Sequence, residues 1–135
     1  MTPTERSLKL LRDAGFTVQK VERWQSFFGR NTGGGHAALG RGGLRIDLFG
    51  CIDLIAIHPE HGICGIQCGA KSGHSGHRKK ILSEPRARMW IASGGRLVLH
   101  SWGKIKGATK RLHYEAKIEE FSENSEWIEE DPFHE

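Results

Sequence analysis

Apolar positions near the N-terminus recur with a helical period. Leu8, Leu11 and Ala14 form a stripe with Leu10 beside it, and Gly15 stands where the helix must stop. The start is equally marked: Thr2 is an N-cap residue, Pro3 suits the first helical position, and Glu5 completes a capping box. Phe16, Val18 and Val21 then alternate as in a strand that ends at Glu22, Arg23 and Trp24. Residues 29–43 break the pattern with seven glycines among Arg30, His36 and Arg41. Such a segment buries too little apolar surface to order itself, and no Gly-Lys-Ser/Thr ending makes it a phosphate loop, so a mobile loop is expected.

From Leu44 to Ile57 the chain is apolar apart from Arg45 and two carboxylates, Asp47 and Asp53. His58 to Gly62 reads as a turn and Ile63 to Cys68 as the second strand of a hairpin. A basic run, Lys71 to Lys80, leads into a helix through Ile81, Ala87, Trp90 and Ile91 that ends at Gly94-Gly95, with Pro85 as its start or its kink. Arg96 to Trp102 reads as a buried strand and Leu112 to Ile118 as an edge strand. A helix placed between strands implies a crossover and a mixed sheet of four to five strands. Beyond Phe121 the chain is acidic with few apolar anchors, Trp127 and Phe133, and is expected to be loosely held.

With 135 residues and 37% apolar content there is material for one modest core, hence one domain over residues 1–118 and an acidic tail over 119–135. No stretch approaches the roughly 18 apolar residues of a membrane span, and Met1 is followed by polar Thr2, Pro3, Thr4 and Glu5. No membrane partner is expected. Cys51, Cys64 and Cys68 are odd in number and lack a disulfide-scaffold spacing, which favours reduced thiols and a cytoplasmic address. Charge is unevenly spread. All 20 Lys and Arg lie at or before Lys117, whereas eight of the 16 acids follow it. A body this basic suits a polyphosphate, because each cation that meets a phosphate releases condensed counterions; a merely soluble basic surface is the plainer alternative.

Asp53 is the residue that most needs an explanation. It interrupts Cys51-Ile52-Asp53-Leu54-Ile55-Ala56-Ile57, and a carboxylate removed from water costs several kcal/mol unless it is paired or bound to metal. Gln67 sits in similarly apolar company in Gly65-Ile66-Gln67-Cys68-Gly69, so adjacent strands can aim two oxygen ligands at one site, a donor set that suits Mg²⁺ or Mn²⁺. Asp47 is a third ligand or a partner of an arginine. For Asp53 the plain alternative is an ion pair with Arg45 or His100, and for Gln67 a hydrogen-bonded core amide.

On Ile52-Asp53 and Ile66-Gln67-Cys68-Gly69 the chain resembles the PD-(D/E)XK nuclease superfamily, in particular its small members related to Holliday-junction resolvases. The resemblance extends in element order over Thr4 to Trp102 and implies a restriction-endonuclease-like fold with an αβββαβ core. It also implies a Mg²⁺-dependent endonuclease for branched or damaged DNA, with nucleic acid as partner and a homodimer allowed. In that family an acid on one strand is followed on the next by Glu-x-Lys or a variant. Asp53 takes the first acid's place and Gln67 the second's, while Gly69 falls where the lysine would be. The resemblance then leaves Lys71 as the substitute cation and Glu5 or Glu22 as a recruited acid. The departures at Gln67 and Gly69 also admit a protein that binds nucleic acid without cutting it, or an interaction module whose acidic tail mimics nucleic acid.

The run Gly69 to Lys80 combines small residues and cations at the start of a helix, where Lys71, His74, His77, Arg78, Lys79 and Lys80 would grip phosphate; a solvated basic loop is the alternative. His74 or His77 would also serve as an auxiliary base. Zinc is a poorer match, because Cys64 and Cys68 in an extended strand lie about 13 to 14 Å apart; buried free thiols fit better.

Overall fold

The computed structural model describes residues 1–26, 43–106 and 112–129; the glycine-rich segment read as a mobile loop falls, apart from Gly43, outside the described residues. The first helix, α1, spans Pro3–Asp13. Thr2 Oγ1 accepts from the Glu5 amide at 3.2 Å and the Glu5 carboxylate accepts from the Thr2 amide at 2.8 Å, the reciprocal cap that the sequence predicts. Gly15, at φ +93°, turns the chain out of the helix in a conformation side chains disfavour.

There follow β1 (Thr17–Lys20), β2 (Arg23–Ser26), β3 (Gly43–Ile46), β4 (Leu54–His58) and β5 (Gly62–Ala70). A 3₁₀ turn, Lys71–Gly73, leads into α2 (His74–Leu82), then α3 (Pro85–Ala92), β6 (Arg96–Lys106) and β7 (Leu112–Phe121). Five strands form the main sheet in the order β1-β4-β5-β6-β7. Only β5 and β6 run parallel within it, and α2 and α3 supply the crossover that a parallel pair requires. Among the described residues the result is a mixed α/β architecture, a five-stranded sheet flanked by three helices, in which α1, β1, β4, β5, α2–α3 and β6 run in the expected α-β-β-β-α-β order.

Strand alternation gives the sheet two apolar faces. Leu54, Ala56, Cys64, Ile66, Cys68 and Val98 pack with Leu11 of α1, whereas Leu97, Leu99, Ile52 and Phe121 pack with Ile81, Leu82 and Ala87. On the α1 side the Trp102 indole donates to Ser7 Oγ at 2.8 Å, and Ser7 in turn meets His100 Nδ1 at 2.9 Å. Burial lowers the His100 pKa to about 4, so this ring is neutral.

The sequence pattern and the structure part at three places. The strand expected from Phe16 to Trp24 breaks at Val21 and Glu22, whose amides both turn to the Asp53 carbonyl, at 2.9 and 3.3 Å. The apolar run from Leu44 to Ile57 is two strands separated by a tight reversal. Pro85, by contrast, does what was expected of it and starts a helix, α3, which the Glu84 side chain caps by accepting from the Arg86 amide at 3.1 Å. Finally β7 continues three residues past Ile118, so Glu119 and Glu120 are strand residues rather than tail. Residues 122–129 are held as well: Trp127 packs against the core beside Phe121, and the Ile128 amide donates to the Leu82 carbonyl at 2.9 Å. One large aromatic outweighs the polar company that made this stretch look loose. Among the described residues no helix is long and apolar enough to cross a membrane.

Candidate metal centre

The reversal between β3 and β4 brings the acids together. Leu48 and Ile52 form an isolated antiparallel bridge, with N–H to O=C distances of 2.9 and 3.0 Å, and Phe49 takes a left-handed φ of 52° inside it. The residues flanking that bridge, Asp47 and Asp53, are thereby set opposite each other. The amides of Val21 and Glu22 bond to the Asp53 carbonyl, which carries the Glu22 side chain to the same place. Carboxylate oxygens of Glu22, Asp47 and Asp53 lie within 4.8 Å of one another.

Asp53 and Gln67 are each 3% exposed. The Gln67 amide donates to Asp53 Oδ2 at 2.8 Å and the Cys68 backbone amide donates to the same oxygen at 2.7 Å. This leaves Gln67 Oε1 buried without a hydrogen-bond partner. An orphaned carbonyl of that kind costs roughly 1–3 kcal/mol and marks a place where a further ligand would be welcome. Asp53, Gln67, Glu22 and Asp47 line one cleft of about 240 Å³, whose rim includes Arg45, His77 and Lys80.

The acids do not titrate alike. Burial, followed by a hydrogen bond to Asp47 and the charges of Asp47 and Glu22, raises the Asp53 pKa from 3.8 to about 8. Burial also works against ionisation of Asp47, but hydrogen bonds from Asp53 and Lys80 and the Lys80 charge outweigh it and hold Asp47 below the usual carboxylate range. Lys80 Nζ reaches Asp47 at 2.9 Å. Without a cation, therefore, Asp53 keeps a proton directed toward an ionised Asp47.

The predicted site residues separate into two groups. Asp53, Gln67, Asp47, His77 and Lys80 meet in the cleft, joined by Glu22 of the two recruited acids considered, whereas Glu5 remains at the α1 cap. The ion pairs weighed for Asp53 are not formed, since its carboxylate meets Gln67 and Cys68 rather than Arg45 or His100. Lys71 is not in the cleft: β5 runs on to Ala70, and the lysine stem lies over Gly103 on β6. His74 is buried, with Ser101 Oγ at 2.6 Å and Glu119 at 2.9 Å. Ser101 is fully buried, so this Ser-His-Glu line ties α2 to β6 and β7 and is closed to a substrate. Arg78 is held by Glu119 at 2.8 Å, while Lys79 is exposed. Gly69 makes room for a neighbour, since a Cβ there would run into the His77 ring. His77 Nδ1 donates to the Gly73 carbonyl at 2.9 Å, which places a proton on Nδ1. Cys64 and Cys68 are free and buried in β5, and burial raises their pKa to about 11 and about 12, the behaviour of inert thiols rather than zinc ligands.

Compared with protein-family models, curated proteins and solved structures, the chain has no match.

Proposed function

We propose that the protein is a divalent-metal-dependent phosphodiesterase acting on nucleic acid, DNA in the first place, of the PD-(D/E)XK kind that its sequence resembles. The observation that carries this reading is the convergence of Glu22, Asp47 and Asp53 within 4.8 Å beside the orphaned oxygen of Gln67. Three acidic side chains and an amide oxygen are the hard donors that Mg²⁺ or Mn²⁺ takes, and Gln67 Oε1 is the atom a cation would satisfy. Bound there, the metal would polarise a phosphate oxygen and make a coordinated water acidic.

The chain's own residues account for the rest. Arg45 and Lys80 at the rim neutralise phosphate, and exposed Lys79 extends the same basic surface. His77 stands across Gly69, where the family pattern has a lysine, and with Nδ1 engaged at Gly73 it is Nε2 that would take a proton from an attacking water. Asp53, placed between Gln67 and Asp47, would hold the cation as a carboxylate, its proton passing to solvent.

Gly69 also favours a second reading, a nucleic-acid-binding protein without cleavage, because the lysine is missing and Gln67 carries one charge less than the family's acid. Isothermal titration with Mg²⁺ and Mn²⁺ separates the two when run beside cleavage of nicked, branched and linear DNA with and without EDTA. The first reading requires metal binding that is lost in Asp53→Asn and cleavage that EDTA abolishes. Metal binding without cleavage leaves the second, and no binding of either ion refutes the metal centre.

A further inference from the structure

The ribbon formed by β2 and β3 stands apart from the main sheet, and its two stems are ligands of the candidate centre. Glu22 immediately precedes β2 and Asp47 immediately follows β3. Side chains two apart on a strand share a face, so Trp24 lies on the face of Glu22 and Arg45 on the face of Asp47. Trp24 and Arg45 are also directly opposite each other in the pairing. One face of the ribbon therefore continues the metal cleft, with Trp24 about 6.6 to 6.8 Å beyond Glu22 along an extended strand.

The indole is exposed yet positioned. Trp24 is 61% exposed, so core packing does not account for it. Its ring lies over Gly43, where any Cβ would collide with it, and the missing side chain leaves a flat seat across the ribbon. Arg45 beside it is exposed, and its ion-pair partner among the described residues is Glu22, at 3.9 Å.

We propose that this face seats an unpaired nucleotide next to the phosphate held at the metal centre, with the base stacked on Trp24 and Arg45 on the adjoining phosphate. The inference rests on the phosphodiesterase reading and narrows its substrate to nucleic acid with a single-stranded or unstacked position. An isolated aromatic plate finds no partner along a paired duplex, whose base faces are already covered, but it stacks on any base that is splayed out. The guanidinium supplies the charge complement that a sugar-phosphate chain requires.

The test is fluorescence anisotropy in EDTA on a labelled single strand, the blunt duplex of the same sequence, and that duplex with an overhang. Proteins compared are wild type, Trp24→Ala, Trp24→Phe and Arg45→Ala. Wild type should prefer the single strand and the overhang. Trp24→Ala should weaken those two roughly 5- to 150-fold, the range of one lost base stack, while leaving the blunt duplex unchanged, and Trp24→Phe should retain most of the affinity. Arg45→Ala should weaken every substrate and reduce the salt slope by at most about 0.9. Equal affinities of Trp24→Ala and wild type for the single strand, or an equal loss on the blunt duplex, overturn the stacking seat. Calorimetry with Mg²⁺ on the same proteins keeps the two failures apart: metal binding with a silent Trp24→Ala refutes the seat alone, and absent metal binding refutes the centre it was built on.

Discussion

Replacing Asp53 by Asn should stabilise the metal-free protein, and by an amount that depends on pH. Asp53 titrates near 8 in the folded chain against 3.8 ordinarily, with burial as the main cause and the neighbouring Asp47 next. For an acid whose pKa is raised by folding, the folded state favours the protonated form. The stability this group contributes is complete below pH 3.8, falls as pH rises through the interval to about 8, and is constant above it. At about 1.36 kcal/mol per unit, the interval amounts to a ceiling of roughly 6 kcal/mol. Asp47, held low by the same proton and by Lys80, returns part of it, so the net loss stays below that ceiling. Asparagine mimics the protonated acid, because its oxygen still accepts from the Cys68 amide and from Gln67 and its amide still donates toward Asp47. Urea unfolding of both proteins at pH 5, 7 and 9 in EDTA should show a difference in favour of Asp53→Asn that is smallest at pH 5 and grows toward pH 9 without exceeding that ceiling. Added Mg²⁺ should reverse the order by stabilising the wild type alone. A variant less stable than wild type at every pH would show that Asp53 is ionised and paired in the native state, and the argument would fail.

Gln67→Glu adds a fourth carboxyl group to the cleft. Its metal affinity should rise about tenfold or more by calorimetry, while the metal-free protein becomes less stable at pH 8; unchanged affinity would mean that Gln67 Oε1 takes no part. Gly69→Ala drives a methyl into the His77 ring, so it should cost about 1–3 kcal/mol in chemical unfolding and reduce cleavage, and His77→Ala in the same chain should restore the stability but not the cleavage. Restoration of both would remove His77 from the chemistry. Trp127→Ala should destabilise by about 2 kcal/mol in the same assay, since the indole packs beside Phe121 and donates to the Ser122 carbonyl at 2.9 Å; a silent substitution would return this segment to a solvated tail.

What the sequence determined by itself was local and periodic. The cap of α1 at Thr2 and Glu5, the glycine stop, the strands around Leu54 and Ile66, and the buried positions of Asp53 and Gln67 all follow from residue chemistry within a few positions, because period and capping are short-range properties. Which charges meet is a different matter, settled by turns and register. Asp47 and Asp53 face each other because a two-residue pairing closes a reversal that lies inside a uniformly apolar run, where hydrophobicity has no way to mark it. Glu22 was indistinguishable from Glu5 as a recruited acid until the Asp53 carbonyl collected the amides beside it. The basic run Lys71 to Lys80 looked like one surface, yet a helix distributes successive residues around its axis: His74 and Arg78 turn to Glu119 on β7, while His77 and Lys80 turn to the cleft. Glu119 itself changed from a tail acid to their partner when Phe121 entered the core and drew the strand past Ile118. Composition fixed the number of charges, and tertiary pairing decided which of them remain free to act.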